Sequence, residues 1–387
     1  MPSDRLFGPS LTTPAMAAAV SEMAWLTAML RFEAALATVQ ARLELIPGTA
    51  ATAIAAACDP ERFDVEEIGR AAVMAATPVV PLVDALRREV GGEAAGFVHY
   101  GATSQDVLDT AMMLIAREAL DLMLVDLSAL ASECAALAHR HRDTQMAGRT
   151  LLQQARPISF GFKAAMWLIG VVEARRRLAA IRSGGLAVQL GGPVGTLDSF
   201  GQRAAELVTC LARELGLVDP TLPWHSTRGR IAELGSALSV AAGAAAKIAL
   251  DLSLLAQTEI GEVAEAAGGR SSAMPHKRNP ARAIEARSAF AGVTAQAAIL
   301  HAAMAGEHER SAGAWQSEWP ALSEAFRLAA GAVGRTREAL QGLQVDAGRM
   351  RDNLARLEGS EQSEDLASAQ TLIDRALAIY RSEEAPR

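Results

Sequence analysis

Residues 268–280, with the sequence GGRSSAMPHKRNP, concentrate hydroxyl groups and positive charge in one short segment. Its chemically competent side chains are those of Arg270, Ser271, Ser272, His276, Lys277, Arg278 and Asn279. The pair Asn279-Pro280 stands before an Ala-rich run, which predicts a helix with Asn279 as N-cap and Pro280 in its first turn. Because a helix N-terminus carries partial positive charge, the segment predicts an anion-binding loop with two serine hydroxyls inside it. The alternative interpretation is a solvated basic loop.

The stretch VHYGATSQDVLDTAM at 98–112 offers a second set of polar groups, at the start of another predicted helix. Thr103, Ser104 or Asp106 is the predicted N-cap, and the free N–H groups of the first turn suit a carboxylate. The same residue types also form an ordinary N-cap with no further role, and both interpretations stay open at this point.

A third stretch, GRTLLQQARPISFGFK at 148–163, places Thr150, Gln153 and Gln154 just before a turn marked by Pro157. These side chains belong either to a substrate site or to a polar connection. The glycine-rich stretch LAVQLGGPVGTLDSFG at 186–201 permits close backbone approach, but no predicted strand precedes it. A dinucleotide-binding loop requires that strand, so we reject this function for the stretch.

Long helices are predicted to position these segments, because proline and glycine are sparse between them. Residues 107–141 contain neither and predict a helix of about 35 residues, roughly 50 Å long. Further predicted helices cover 160–182, 231–267, 281–305 and 322–340. The sequence has no run of short alternating strands and no βαβ pattern. The predicted fold class is therefore all-α, a bundle of long helices that bury their apolar stripes against each other, often between subunits.

Composition narrows the class of protein. Hydrophobic residues make up 50% of the 387 residues, and the net charge of −7 argues against a nucleic-acid partner. Cys58, Cys134 and Cys210 are too far apart for a zinc motif or a disulfide framework, so we predict buried, reduced thiols. Neither a basic leader followed by an apolar run nor about 18 uninterrupted apolar residues occurs. We therefore predict a cytoplasmic protein with no membrane span.

Taken together, the three polar stretches resemble the three signature regions of the fumarase/aspartase superfamily, in the same order along the chain. The match is closest at SSAMPHKRNP. The glycine-rich stretch at 186–201, LPWHSTRGRIAELGSAL at 222–238 and EHERSAGAWQSEWPAL at 307–322 resemble the 3-carboxy-cis,cis-muconate cycloisomerase family within it. The resemblance extends from the N-terminus to about residue 355.

That resemblance implies a homotetramer whose central helices form a shared bundle, with each active site gathered from three subunits. It implies a small polycarboxylate substrate, no metal and no organic cofactor. The implied divisions of the chain are an N-terminal helical domain at 1–98, a central long-helix domain at 99–340 and a reduced C-terminal segment at 341–387.

The resemblance also implies roles for single residues. Ser271 and Lys277 are expected to be catalytic: Ser271 exchanges a proton on the carbon next to a carboxylate, and Lys277 holds that carboxylate. The expected substrate-binding residues are His99, Thr103, Ser104, Thr150, Gln153, His276, Arg278 and Asn279. Such proton exchange passes through a doubly negative carboxyl group, which prearranged cations and N–H donors stabilise.

Three positions depart from the superfamily pattern. Leu151 stands where fumarases and amine lyases have histidine, Arg270 where glycine is usual, and Gly229 where an acidic residue is common. Leucine transfers no proton, but a carboxylate that attacks in its ionised form needs none. Lactonisation of 3-carboxy-cis,cis-muconate is therefore the leading expectation. The alternatives are a paralogue for 3-sulfomuconate, a C–N lyase of a substituted succinate, and a non-catalytic helical scaffold.

Overall fold

The computed structural model describes residues 6–356 and 366–384, and helices dominate this part of the chain. The helices are α1 Gly8–Leu11, α2 Pro14–Ala19, α3 Glu22–Arg42, α4 Gly48–Ala57, α5 Val65–Ala75, α6 Val79–Val90, α7 Ser104–Arg140, α8 Phe160–Gly184, α9 Ala204–Leu215, α10 Gly229–Leu255, α11 Ala281–Ala302, α12 Ala314–Leu340, α13 Ala347–Ala355 and α14 Ala367–Glu384. Short 3₁₀ turns cover Pro60–Arg62, Glu93–Phe97 and Asp198–Arg203. The predicted all-α fold class is confirmed.

Short strands join the helices in three antiparallel pairs within the described residues. They are β1 Gln145–Thr150, β2 Gln153–Ser159, β3 Val263–Ala264, β4 Gly269–Arg270, β5 Arg278–Asn279 and β6 Gln344–Val345, paired as β1 with β2, β3 with β6, and β4 with β5. The β1–β2 hairpin contains the second signature stretch, and β4–β5 forms the base of the third. The sequence analysis predicted no hairpin at either place.

Five long helices, α7, α8, α10, α11 and α12, pack along one another as the central bundle. The N-termini of α7, α10 and α12 meet at one end, where Arg228 and Trp315 both hydrogen-bond to Asp109. We call this the Thr103 end; it comprises residues 103–110, 185–193, 224–230 and 301–318. The opposite end, here the Ser271 end, comprises 141–160, 255–281 and 340–353 and holds the strands.

The core is built mainly from Ala, Leu and Val of these helices, with Phe32, Phe160 and Phe326 among its largest fully buried side chains. Burying each large apolar side chain contributes about 1.5–3 kcal/mol, which makes the bundle a rigid frame for its end loops.

In the described residues, α10 alone is long and apolar enough to cross a membrane, and more than half of its most apolar window is buried inside the protein.

The helix predicted at 107–141 is confirmed as α7, but the prediction for 231–267 is wrong at its C-terminal end. Helix α10 stops at Leu255, and the N–H of Gly261, at φ +62°, closes a turn onto the carbonyl of Gln257. Glycine adopts this left-handed conformation without the Cβ penalty, so the chain changes direction there, after the helix has ended. Glu262 then lies beside the β1–β2 hairpin instead of continuing the helix.

Candidate active site

Thr103 and Arg310 form the centre of the Thr103 end. Arg310 Nη1 donates a hydrogen bond of 2.7 Å to the hydroxyl of Thr103, and Arg310 Nη2 donates to the carbonyl oxygen of Pro193 at 2.8 Å. Thr103 is the residue before the first turn of α7, where unpaired backbone N–H groups add partial positive charge. Arg310, Thr103 and Ser104 are all half-buried, so a guanidinium and a helix N-terminus meet at a partly accessible place.

Asp106 holds the backbone around Thr103 in place. This fully buried carboxylate accepts hydrogen bonds from the backbone N–H groups of Thr103, Gly191 and Gly192, at 2.9–3.0 Å. His225 Nε2 lies 2.7 Å from the same carboxylate. The first turn of α7 and the Gly191-Gly192 turn are therefore fixed to each other, which sets where Arg310 meets Thr103.

Arg228, Asp109 and Glu318 form a buried ion network one turn of α7 further into the bundle than Asp106. Arg228 donates two hydrogen bonds to Asp109, at 2.6 and 3.0 Å, and two to the Glu318 carboxylate. Although burial alone lowers the pKa of Arg228, the two carboxylates raise it above its ordinary value, so this residue stays charged. Because burying charge is costly unless it is paired, the network fixes α7, α10 and α12 relative to one another.

His99 lies on the loop before α7, and Asp106 is among the charges that act on its ring. Its Nδ1 lies 2.6 Å from Glu33 Oε1 of α3, and its backbone adopts φ +63°. Burial alone lowers the pKa of His99, but the charge and hydrogen bond of Glu33 outweigh it and raise the pKa above the ordinary value.

The β1–β2 hairpin carries Thr150 and Gln153, which face each other as the last cross-strand pair and are both exposed. The two-residue turn between them consists of Leu151 at φ +50° and Leu152 at φ +67°. Such turns favour Asn or Gly, and leucine pays a steric cost there. The apex therefore presents two apolar side chains to the outside, and Leu151 is 97% exposed.

An ion pair connects this hairpin to the segment that leads into the third signature loop. Arg149 forms a two-pronged contact with Glu262, at 2.6 and 3.0 Å, and Asn353 donates to the same carboxylate at 2.8 Å. Glu262 is fully buried. The second and third signature stretches of one protomer are thus fixed at the same end of its bundle.

Ser271 lies at the start of the loop between β4 and β5. Its Oγ accepts hydrogen bonds from the backbone N–H groups of Ala273 and Met274, at 3.3 and 3.1 Å, and the N–H of Lys277 closes the loop onto the carbonyl of Met274. N–H groups aimed at a hydroxyl oxygen favour its ionised form. The hydroxyl lies on an exposed loop, together with His276, Lys277 and Arg278.

The predicted cap of the following helix is wrong. Asn279 belongs to β5 and pairs with Gly269, and the N-cap position of α11 is Pro280. The carboxylate of Glu265 instead accepts from the backbone N–H groups of Arg282 and Ala283, at 3.2 and 2.9 Å. An internal carboxylate already occupies this helix N-terminus, so the positive charge of the loop comes from its side chains.

The length of α7 separates the first signature stretch from the other two. Its 37 residues span about 55 Å, from Thr103 to the segment before the hairpin. Within this chain, Thr103 and Ser104 therefore lie at one end, whereas Thr150, Gln153 and Ser271 lie at the other.

Sequence analysis did not single out Arg310, Asp106 or Glu33 as site residues. Arg310 lay inside the stretch 307–322, but nothing in the spacing of a lone arginine indicates contact with Thr103. In the described residues, no group of three His, Cys, Asp or Glu side chains is placed to hold a metal ion.

The chain belongs to the lyase family, which it matches over residues 10–294. The predicted membership of the fumarase/aspartase superfamily is confirmed, and so is the prediction that this protein is an enzyme.

Individual relatives are similar over nearly the whole chain. A nitrosuccinate lyase of Streptomyces davaonensis is 48% identical and covers 95% of this chain and 81% of its own length. A 3-carboxy-cis,cis-muconate cycloisomerase of Bradyrhizobium diazoefficiens is 44% identical over 94% of this chain and 82% of its own. The crystal structure of 3-carboxy-cis,cis-muconate lactonizing enzyme from Pseudomonas putida superimposes with a TM-score of 0.87 at 39% identity, covering 99% of this chain and 89% of that one.

Proposed function

We propose that the protein is a cycloisomerase that closes 3-carboxy-cis,cis-muconate to a carboxymuconolactone. A carboxylate oxygen of the substrate adds to a carbon–carbon double bond, and the displaced electron pair moves to the carbon next to another carboxyl group. The hydroxyl of Ser271 delivers a proton to that carbon and takes one back from water, so the substrate and the lactone, both counted as their neutral acids, have the same composition. Several cycloisomerase relatives support this reaction.

The observation that carries the proposal is the apolar apex of the β1–β2 hairpin. Leu151 and Leu152 offer no titratable group beside Thr150 and Gln153. A reaction in which an amine leaves needs a proton at nitrogen, whereas an ionised carboxylate attacks without any proton transfer. The hairpin therefore suits a reaction whose heteroatom group is a stable anion.

Substrate carboxylates are bound by the cationic groups of the two ends. Arg310 with Thr103 and Ser104 binds one carboxylate, and Lys277, with His276, Arg278 and Asn279, binds the carboxyl group that gains charge. Thr150 and Gln153 donate from the hairpin, and His99 adds charge at the Thr103 end. A two-pronged guanidinium–carboxylate contact is among the strongest charge-assisted hydrogen bonds.

These groups form one site only if several protomers contribute to it, so we include a homotetramer in the proposal. The separation of about 55 Å along α7 supports this assembly. Exposed apolar side chains on the long helices, which a neighbouring copy would cover, support it as well: Met166, Val240, Leu250, Ile284 and Ile299. We place this metabolic enzyme in the cytoplasm.

A second candidate is elimination of nitrite from nitrosuccinate, favoured by the relative that is 48% identical. An oxyanion at Ser271 removes the proton next to a carboxylate, the carbon–nitrogen bond breaks, and nitrite departs with the electron pair, which leaves an unsaturated diacid. Nitrite is also a stable anion, so Leu151 is equally compatible with this reaction.

One assay with both substrates separates the candidates. Purified protein is mixed with 3-carboxy-cis,cis-muconate, and loss of the diene absorbance is followed together with product mass. In parallel, nitrosuccinate is supplied and nitrite is measured. A lactone of unchanged mass supports the first candidate, whereas nitrite release without lactone formation overturns it in favour of the second.

The matched control is Ser271→Ala. The substitution removes one hydroxyl from a surface loop outside the bundle, so turnover of the active substrate should fall at least about 100-fold while thermal unfolding stays unchanged. Unchanged turnover would show that Ser271 is not the proton donor.

A further inference from the structure

A single helix of the N-terminal region fixes the loop that leads into α7. Glu33 of α3 contacts His99 Nδ1 at 2.6 Å, and two turns later Gln40 donates to the backbone carbonyl of Tyr100 at 2.8 Å. Both side chains on α3 are buried, with Glu33 at 1% exposure. Helix α3 thus fixes the side chain of His99 and the backbone of Tyr100.

The backbone of His99 requires this support. At φ +63° the residue lies in the left-handed region, which non-glycine residues adopt rarely. Such conformations persist where surrounding contacts over-determine them, and they cluster at functional sites. The conformation turns the imidazole toward Glu33 and orders the four residues that separate it from α7.

We propose that Glu33 is a positioning residue, which acts through His99 in the reaction proposed above. Its carboxylate binds Nδ1 and fixes the ring, so that Nε2 is left to face the anion held at the Thr103 end. No described residue forms a hydrogen bond with His99 Nε2, and the side chain keeps 14% of its surface exposed. The pairing resembles metal-free carboxylate–histidine pairs in which one ring nitrogen is held and the other does chemistry.

The charges around His99 support a cationic imidazole. Glu33 of α3 and Asp106 of α7 favour the protonated ring, whereas burial and Arg87 of α6 oppose it, and the net effect raises the pKa of His99. His99 is then protonated to a higher pH than a solvent-exposed imidazole and loses its charge as the pH rises through that raised pKa. A positive ring on the loop that leads into α7 favours a polyanionic substrate.

The experiment compares Glu33→Gln, His99→Asn and the double variant. With Glu33→Gln the ring loses its counter-charge, so the pKa of His99 falls and the alkaline limb of the kcat/KM profile moves to lower pH. We expect kcat/KM at neutral pH to fall about tenfold, as for the loss of one charge-assisted contact. In the His99→Asn background, Glu33→Gln should lower kcat/KM by less than about twofold more, because Glu33 acts through the ring that is already missing.

A readout without turnover keeps this test separate from the substrate assignment. Deuterium exchange at the imidazole C2 carbon, followed by mass spectrometry of the peptide that contains His99, reports its pKa in the resting enzyme. Calorimetry with propane-1,2,3-tricarboxylate reports binding of an unreactive polyanion. If neither candidate substrate is converted, these two measurements still decide the role of Glu33. The proposal is overturned if Glu33→Gln leaves the pKa of His99 unchanged or weakens tricarboxylate binding equally with and without His99.

The matched control is Glu118→Gln, which removes a carboxylate from the exposed face of α7. This variant should leave the pKa of His99, the binding of the tricarboxylate and the pH profile unchanged. A shift of equal size in Glu118→Gln would show that the effect is a general change in net charge, and this outcome also overturns the proposal.

Discussion

The guanidinium of Arg310 donates a hydrogen bond of 2.7 Å to the hydroxyl of Thr103, although 207 residues separate them in the chain. The contact brings a cation from the loop before α12 to the N-terminus of α7. Two independent sources of positive potential, a charge and a helix end, therefore meet at one half-buried place. A carboxylate bound there would gain from both.

Substitution of Arg310 tests the value of that cation. Arg310→Gln keeps a donor but removes the charge, so kcat/KM should fall about 10- to 150-fold, the equivalent of about 1.5–3 kcal/mol for a charged hydrogen bond. Most of the change should appear in KM, since the guanidinium binds substrate and transition state alike. Steady-state kinetics decide this, and a variant with unchanged KM would contradict a binding role.

The apex of the β1–β2 hairpin offers a second test. Leu151→Asp places a negative charge beside Thr150 and Gln153, so it should repel a polyanionic substrate and reduce kcat/KM at least about tenfold. The control is Met74→Asp on α5, a helix that packs against α3 and α6; the Met74 side chain is 92% exposed. Equal loss of activity in both variants would argue against Leu151 as part of the site.

The buried network at the Thr103 end should dominate local stability. Arg228→Met leaves the carboxylates of Asp109 and Glu318 buried without their counter-ion, which costs about 3–5 kcal/mol. Arg203→Met breaks only an exposed pair with Glu206 and should cost less than about 1 kcal/mol. Chemical unfolding of the two variants measures the difference in their free energies of unfolding. Equal unfolding midpoints would show that the network contributes little to stability.

The raised pKa values of two cysteine thiols predict how slowly they react with an alkylating reagent. Burial, with a smaller effect of Glu33, raises the pKa of Cys58 to about 12, and burial also raises the pKa of Cys134. The thiolate is the reactive form, so both thiols should react slowly at pH 8. Cys134 is fully buried, and the half-buried Cys58 is disfavoured as a thiolate. Iodoacetamide should leave both residues unmodified in the native protein and label them after denaturation. Rapid labelling of native Cys134 would contradict its burial.

Local patterns in the sequence predicted the frame of this protein well. The run without glycine or proline at 107–141 became α7 because good helix formers fill it and its apolar residues pack against α8 and α12. The end of α10 was missed because the break depends on a turn at Gly261 and on capture of Glu262 by Arg149, which lies 113 residues away.

The site was predictable only where its residues cluster in sequence. Ser271 and Lys277 share one loop, so residue types alone indicated an anion-binding segment. The prediction of Asn279 as N-cap was wrong because the carboxylate of Glu265, which precedes the loop, accepts the hydrogen bonds of the first N–H groups of α11. Arg310 and Glu33 gave no signal, since their partners Thr103 and His99 are distant in the chain.

The most direct test of the account mixes two impaired variants. Arg310→Gln damages the Thr103 end of each protomer, and Ser271→Ala damages the opposite end. If each site takes these ends from different protomers, co-refolded mixtures regain about a quarter of the wild-type activity, because that fraction of sites receives two intact halves. If mixing restores no activity above that of the separate variants, each site belongs to a single protomer, and the shared-site account is wrong.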